Sequence, residues 1–166
     1  KHDAVVSVII ATICMLIYIW VRFKDIRFAT SAVAALVHDV LVVLVFYGAA
    51  RISVGNTFIA CMLTIIGYSI NDTVVIFDRI REYQELYPKR SVRDNINNAI
   101  NSTLARTVNT AGTTFVVLLA IFLFGGEVIR GFVFALLFGV LISTYSTVFT
   151  ATPIAYDLIR RDRKQA

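Results

Sequence analysis

The chain has 166 residues, 58 % of them hydrophobic, and a formal net charge of +5; its mean hydropathy is +0.76. Soluble domains lie nearer about 45–50 % apolar, so a water-soluble globular fold is excluded and a polytopic all-α transmembrane helix bundle is expected. The excess of positive charge then reads as a topology signal rather than a nucleic-acid patch, and no nucleic-acid partner is expected.

Five spans are expected, at about 4–21, 28–50, 56–77, 103–124 and 131–156. The first carries no charge and meets Arg22, Lys24 and Arg27, with Asp25 among them. The second carries His38 and Asp39. Asp39 lies twelve residues past Arg27, roughly 18 Å in at about 1.5 Å per residue, near the midplane. No arginine of this chain matches that depth. Asp39 is therefore protonated, paired with His38 or a third polar group, or turned toward a partner. Adjacent residues point about 100° apart on a helix, so a tight His38–Asp39 dyad is not expected.

After a short loop with Gly55 comes the stretch around which the chain is organised, CMLTIIGYSINDTVVIFDRIR at 61–81. It begins as an apolar helix and then places Tyr68, Ser69, Asn71 and Asp72 where lipid would accept only aliphatic side chains. A carboxylate there costs roughly 2.5–3.5 kcal/mol on insertion scales, which marks a functional candidate. The structural alternative is a fixed salt-bridge partner.

The polar stretch 78–101 follows, broken by Pro88. Ser91, Val92, Arg93 and Asp94 resemble a capping box with Asp for Glu. Val92, Ile96, Ile100 and Leu104 then recur every four residues, the pattern of a short amphipathic helix along the inner membrane face, or of a solvated helical connector. Span four carries Arg106, with Asn109, Thr110 and Thr113 on the same face. Asp72 is six residues from Asp78, or about 9 Å, and Arg106 is similarly close to the start of its span. Two opposite charges at equal depth are expected to pair. Only Asp72 of the two can exchange a proton, so the pair reads as a proton-coupled switch or, alternatively, a permanent structural tie.

Span five repeats Gly131, Ala135, Gly139, Ser143 and Thr147 every four residues. Such a seam is a packing face, toward a partner or toward another span. Ser143 and Thr147 are expected to hydrogen-bond within the bundle.

Lysines and arginines outside the spans divide twelve to three. Arg22, Lys24, Arg27, Arg79, Arg81, Lys89, Arg90, Arg93, Arg160, Arg161, Arg163 and Lys164 stand on one side, against Lys1, Arg51 and Arg130. The larger set is expected in the cytoplasm, with the amino end of the chain outside and the carboxyl end inside. Cys14 and Cys61 lie inside apolar spans, so neither a disulfide nor a Cys/His metal centre is expected. No nucleotide-binding, zinc-protease or hydrolase motif occurs. No cofactor and no enzymatic reaction is expected, and a transmembrane ion gradient is the natural energy source.

The motif LTIIGYSINDTVVIFDRIRE at 63–82 resembles the signature of the SecF family, membrane subunits of the bacterial Sec protein translocase within the resistance–nodulation–division superfamily. YIWVRFKDIRF at 18–28, LVHDVL at 36–41, LARTVNTAGTT at 104–114 and LFGG at 123–126 resemble further family segments in the same order. The resemblance implies a six-span subunit of which spans two to six are present, the first span and a periplasmic domain being absent. It implies residence in the bacterial inner membrane and proton-motive-force-driven help to secreted proteins. The implied partners are SecD, the SecYEG translocon, YajC and a preprotein met by the missing periplasmic domain. The family's functional Asp and Arg fall on Asp72 and Arg106; proton coupling by Asp39 is a further expectation. A scaffold holding SecD to the translocon, with structural buried charges, is the competing reading. Half of a related proton-driven drug or lipid exporter is a third, disfavoured by the ordered motifs.

Overall fold

The computed structural model describes the backbone at 2–49 and 56–165, and side chains at 6–7, 9–49 and 58–161. Lys1, the expected end of span two at 50 and the loop with Arg51 and Gly55 lie outside the described residues. Among those described, every regular element is helical: α1 His2–Phe23, α2 Ile26–Ala49, α3 Asn56–Leu86, α4 Val92–Phe124, α5 Glu127–Ser146, a π-helical turn Thr147–Ala151, and α6 Thr152–Gln165. Four stretches are long and apolar enough to cross a membrane, Ile26–Ala49, Phe58–Leu86, Val92–Phe124 and Glu127–Arg161, and α1 adds the shorter apolar run Ile9–Phe23. The chain is a membrane protein built as a helix bundle.

Its corners follow from local chemistry. At the α1–α2 corner Lys24 takes a left-handed conformation, φ 51°, and its N–H donates to the Trp20 carbonyl at 2.7 Å. Asp25 then caps α2: its Oδ1 accepts the Arg27 N–H at 2.9 Å, filling one of the orphan donors of a helix start. The Arg27 guanidinium grips the same carboxylate, Nη2 to Oδ2 at 2.6 Å. Burial raises the Asp25 pKa, but the Arg27 hydrogen bonds and charge outweigh it and hold the carboxyl below its ordinary value.

The stretch 78–101 is mostly helix, and this corrects the expected surface helix. α3 runs on to Leu86 and α4 begins at Val92, so the expected short helix is the first third of one continuous helix. Its apolar face packs on the bundle instead of lying on lipid: Ile96 is buried and Val92 and Ile100 pack against the same core, while Leu104 is exposed. Ser91 does cap α4, accepting the Asp94 N–H at 3.1 Å. The Asp94 carboxylate returns the bond through the Ser91 hydroxyl, at 2.7 Å, where a capping box would use the backbone amide.

The span expected at 131–156 is not one uniform helix either. Pro153 has no N–H to give and crowds the carbonyl four residues earlier. The backbone widens into the π turn just before it, and the Thr152 hydroxyl takes up the Thr147 carbonyl at 2.9 Å.

Two apolar clusters build the interior. One joins α1, α2, α3, α4 and α6 around Phe23, Phe28 and Phe77, whose ring centroids lie 5.1–6.2 Å apart. The other joins Val43 and Tyr47 of α2, Phe58 to Ile65 of α3, and Ala135 and Leu136 of α5. Lipid tails are as apolar as these side chains, so cohesion comes from close packing rather than escape from water. Gly139 shows this: a Cβ there would collide with the Ile65 side chain. The seam on α5 is thus a contact with another span of this chain. Its Gly131 end is different, since a Cβ there meets nothing within 4 Å.

Candidate functional site

Between the two apolar clusters the second, third and fifth elements each contribute polar side chains at one level. α2 brings His38 and Asp39, α3 brings Tyr68, Ser69, Asp72 and Thr73, and α5 with the π turn brings Ser143, Ser146 and Thr147. Asp39, Ser69, Asp72, Thr73, Ser143, Ser146 and Thr147 are all buried. Residues four apart on α3 stack on one side of the helix, so Ser69 and Thr73 form one stripe and Tyr68 and Asp72 the adjacent one. The two stripes face different neighbours.

The first stripe faces α2 and α5. The Ser69 hydroxyl donates to Asp39 Oδ2 at 2.8 Å. Asp39 Oδ1 meets His38 Nδ1 at 3.2 Å, and Ser146 Oγ stands 3.5 Å from the same ring nitrogen. Thr73 donates to the Ser69 carbonyl at 3.0 Å and touches Thr147 Oγ1 at 3.4 Å. The expectation that His38 and Asp39 stay apart is overturned. Adjacent residues start about 100° apart on a helix, but both side chains are long enough to bring Nδ1 and Oδ1 to 3.2 Å. Of the options left open for Asp39, pairing with His38 and with a further polar group both hold. Thr147 bonds within the bundle, to the Ser143 carbonyl at 3.0 Å. Ser143 does not: its Oγ is buried without a partner.

The second stripe faces α4 and α5. Tyr68 OH lies beside Thr114 and Thr144 with no hydrogen bond, and Asp72 Oδ2 is likewise buried and unpartnered. Asp72 is 4 % exposed. Arg106 acts on it through charge, yet the expected ion pair is not formed. No cation comes within 4 Å of Asp72 among the described residues, and Arg106 itself is exposed. The depth argument brought the two charges to one level without making them touch.

The rest of the α4 stripe points the same way as Arg106. Asn109 and Thr113 are exposed and Thr110 half-buried. The two threonine hydroxyls donate within their own helix, Thr110 to the Arg106 carbonyl and Thr113 to the Asn109 carbonyl, each at 2.9 Å. On α3, Thr64 and Asn71 are exposed too. Only 6 % of the apolar window of α4 is buried, against 50 % for α3, so α4 offers most of its surface outward. Among the described residues no three His, Cys, Asp or Glu side chains gather as a metal site would need.

Thr73, Thr114, Thr144 and Ser146 also line this layer, and nothing in the sequence singles them out. Thr73 and Ser146 each sit one residue from a marked position, and a single hydroxyl in an apolar run carries no signal of which helix it faces.

At the other side of the first cluster, charged ends are tied together. Arg22 pairs with Asp78 at 2.6 Å, and Arg79 donates to Ser102 Oγ at 3.2 Å, tying the end of α1 to α3 and α3 to α4.

Residues 1–161 match the family described as "Protein export membrane protein SecD/SecF, C-terminal". A protein translocase subunit SecF from Rhodothermus marinus is 44 % identical over 167 residues, covering 97 % of this chain and 54 % of that protein. One from Cereibacter sphaeroides is 48 % identical over 157 residues, covering 95 % and 48 %. The crystal structure of SecDF, a translocon-associated membrane protein, from Thermus thermophilus superposes with TM-score 0.91 at 36 % identity, over 95 % of this chain and 22 % of that one. SecDF in its super-membrane-facing form gives 0.92 over 99 % and 22 %. The chain thus spans about half the length of the curated relatives it matches.

Proposed function

The chain belongs to the SecD/SecF family of protein-export membrane proteins, and from that premise we propose that it forms most of the membrane part of a proton-motive-force-coupled subunit of Sec-dependent export. It works beside SecD, in the bacterial inner membrane, on preproteins delivered through the SecYEG translocon, with YajC as a further partner. The basic ends of the helices face the cytoplasm. The amino end lies outside and the carboxyl end inside. Asp72 is the group that gains and loses the proton, Arg106 is its counter-charge, and the chemistry is titration rather than bond making.

What carries this reading is the state of Asp72. A buried carboxylate oxygen without a donor is costly to keep charged in a low-dielectric bundle. A guanidinium acts on it through charge without gripping it, so protonation removes that attraction with no salt bridge to break and lets α3 and α4 shift. The uncovered polar faces of α3 and α4 support SecD as the neighbour. Ionisable groups at membrane depth almost always face protein or a water-filled cavity rather than lipid.

The test is translocation of a secretory protein into vesicles, with and without an imposed proton gradient, using the full-length subunit assembled with SecD. Asp72→Asn mimics the protonated form and should assemble normally while losing the gradient-dependent stimulation. Arg106→Ala should lose it as well, and Arg106→Lys should keep part, since one ammonium cannot reproduce the guanidinium fork. Full gradient response in Asp72→Asn would leave the buried charges structural and the subunit a scaffold.

A further inference from the structure

His38 is the unusual member of the polar layer. Its side chain is 38 % exposed while that of Asp39, in contact with it, is 1 % exposed. One ring nitrogen, Nδ1, faces inward to Asp39 Oδ1 and Ser146 Oγ. The ring therefore bridges the outside of the chain and a buried carboxylate. The 3.2 Å separation of Nδ1 and Oδ1 is within the reach of about 2.6–3.2 Å that direct proton transfer needs. Ser69 holds the other carboxylate oxygen at 2.8 Å, which fixes Oδ1 toward the ring.

Among the described residues no other titratable group shares this contact. α3 carries Tyr68 and Asp72, but on the adjacent stripe that faces α4. The bundle-facing residues of α5 and the π turn at this level are hydroxyls, Ser143, Ser146 and Thr147, while Tyr145 is exposed. α1 carries only Cys14 and Tyr18 between its charged ends, both exposed. On α2 itself Tyr47 is two turns away, donating to the Gly131 carbonyl. An imidazole edge at mid-membrane depth is tolerated where it meets protein or water, not lipid.

We propose that His38 and Asp39 form a proton-exchange pair: His38 takes protons from water at its exposed edge and passes them to Asp39, with Ser69 as the positioning residue. The step balances. A hydronium ion at the exposed edge of the ring protonates Nε2 and leaves water. The Nδ1–H bond breaks, its electron pair stays on the ring, and the O–H bond forms at Oδ1. The imidazolium and carboxylate become a neutral imidazole and a neutral acid, and the reverse sequence returns the proton. The proposal rests on the proton-coupled reading of the subunit for its purpose, and assigns to Asp39 a route separate from Asp72.

Infrared difference spectra after a pH jump test it, on the full-length subunit assembled with SecD in liposomes. The part of the protonated-carboxyl C=O band that Asp39→Asn removes reports this group. His38→Gln should slow its rise about tenfold or more, as expected when a positioned proton carrier worth roughly 10²–10⁴ in rate is lost. Added imidazole should restore the rate in His38→Ala. In the unsubstituted protein, imidazole ring bands should change in the same phase, a check that needs no variant to fold. An unchanged rate in His38→Gln, or no Asp39-dependent band at any pH, would overturn the proposal. Failure of the Asp72 reading is seen separately: Asp72→Asn would keep gradient-driven translocation while the Asp39 band still depended on His38.

Discussion

Adding one methyl group at Gly139 is the sharpest test of how the bundle is held together. A Cβ there runs into Cδ1 and Cγ1 of Ile65 and stands 3.4 Å from its Cγ2. Ile65 is 2 % exposed, so its side chain cannot simply swing clear. Alanine gains about 0.8–1 kcal/mol over glycine in a helix interior, whereas overpacking a close contact costs about 1–3 kcal/mol. Gly139→Ala should therefore be near neutral to about 2 kcal/mol destabilising. The same change at Gly131, where nothing lies within 4 Å, should be neutral or stabilising. Comparing the two cancels the propensity gain and leaves a gap of about 1–3 kcal/mol. Gly139→Leu should be worse, and Ile65→Ala placed behind Gly139→Ala should recover part of the loss, with a coupling of about 0.5–3 kcal/mol. The assay is unfolding of the purified protein in mild detergent, followed by helical circular dichroism. Equal stability of Gly139→Ala and Gly131→Ala, or strict additivity of Gly139→Ala with Ile65→Ala, would refute the packing argument.

Asp25 should show itself at acid pH. Its folded-state pKa lies below the ordinary 3.8, so its contribution is complete above that value and is lost as pH falls through the folded-state value. Asp25→Ala should cost about 0.5–2 kcal/mol at neutral pH through loss of the cap and flatten the acid limb of the unfolding-against-pH curve; an unchanged limb would remove the cap from the account. Topology can be read with single cysteines on a background lacking Cys14 and Cys61. An impermeant reagent on intact cells should label Glu127→Cys and spare Lys89→Cys, and the opposite pattern would invert the bundle.

The parts of this protein that were legible in advance are those encoded along the helix axis. Runs of apolar residues and the charges that end them mark the helices, and the rise per residue brings Arg106 near enough to Asp72 to act on it through charge. The fourfold spacing of Gly139 with Ala135 and Ser143 marks a seam, and Ser91 a cap, because both depend on neighbours within a turn or two. What the chain alone left undecided is the rotation of each helix about its axis and the last few ångströms of side-chain reach. Each residue advances about 100° around a helix, so a small rotation sets whether a charge faces a partner or the outside. The packing of α4 against α3 and α5 turns Arg106 outward and leaves Asp72 Oδ2 bare, while the packing of α2 against α3 and α5 closes Ser69 and His38 onto Asp39. The π turn belongs to the same class. Pro153 signals a break, but that the helix widens into a π turn at Thr147–Ala151, with Thr147 against Thr73, is seen only in the folded bundle.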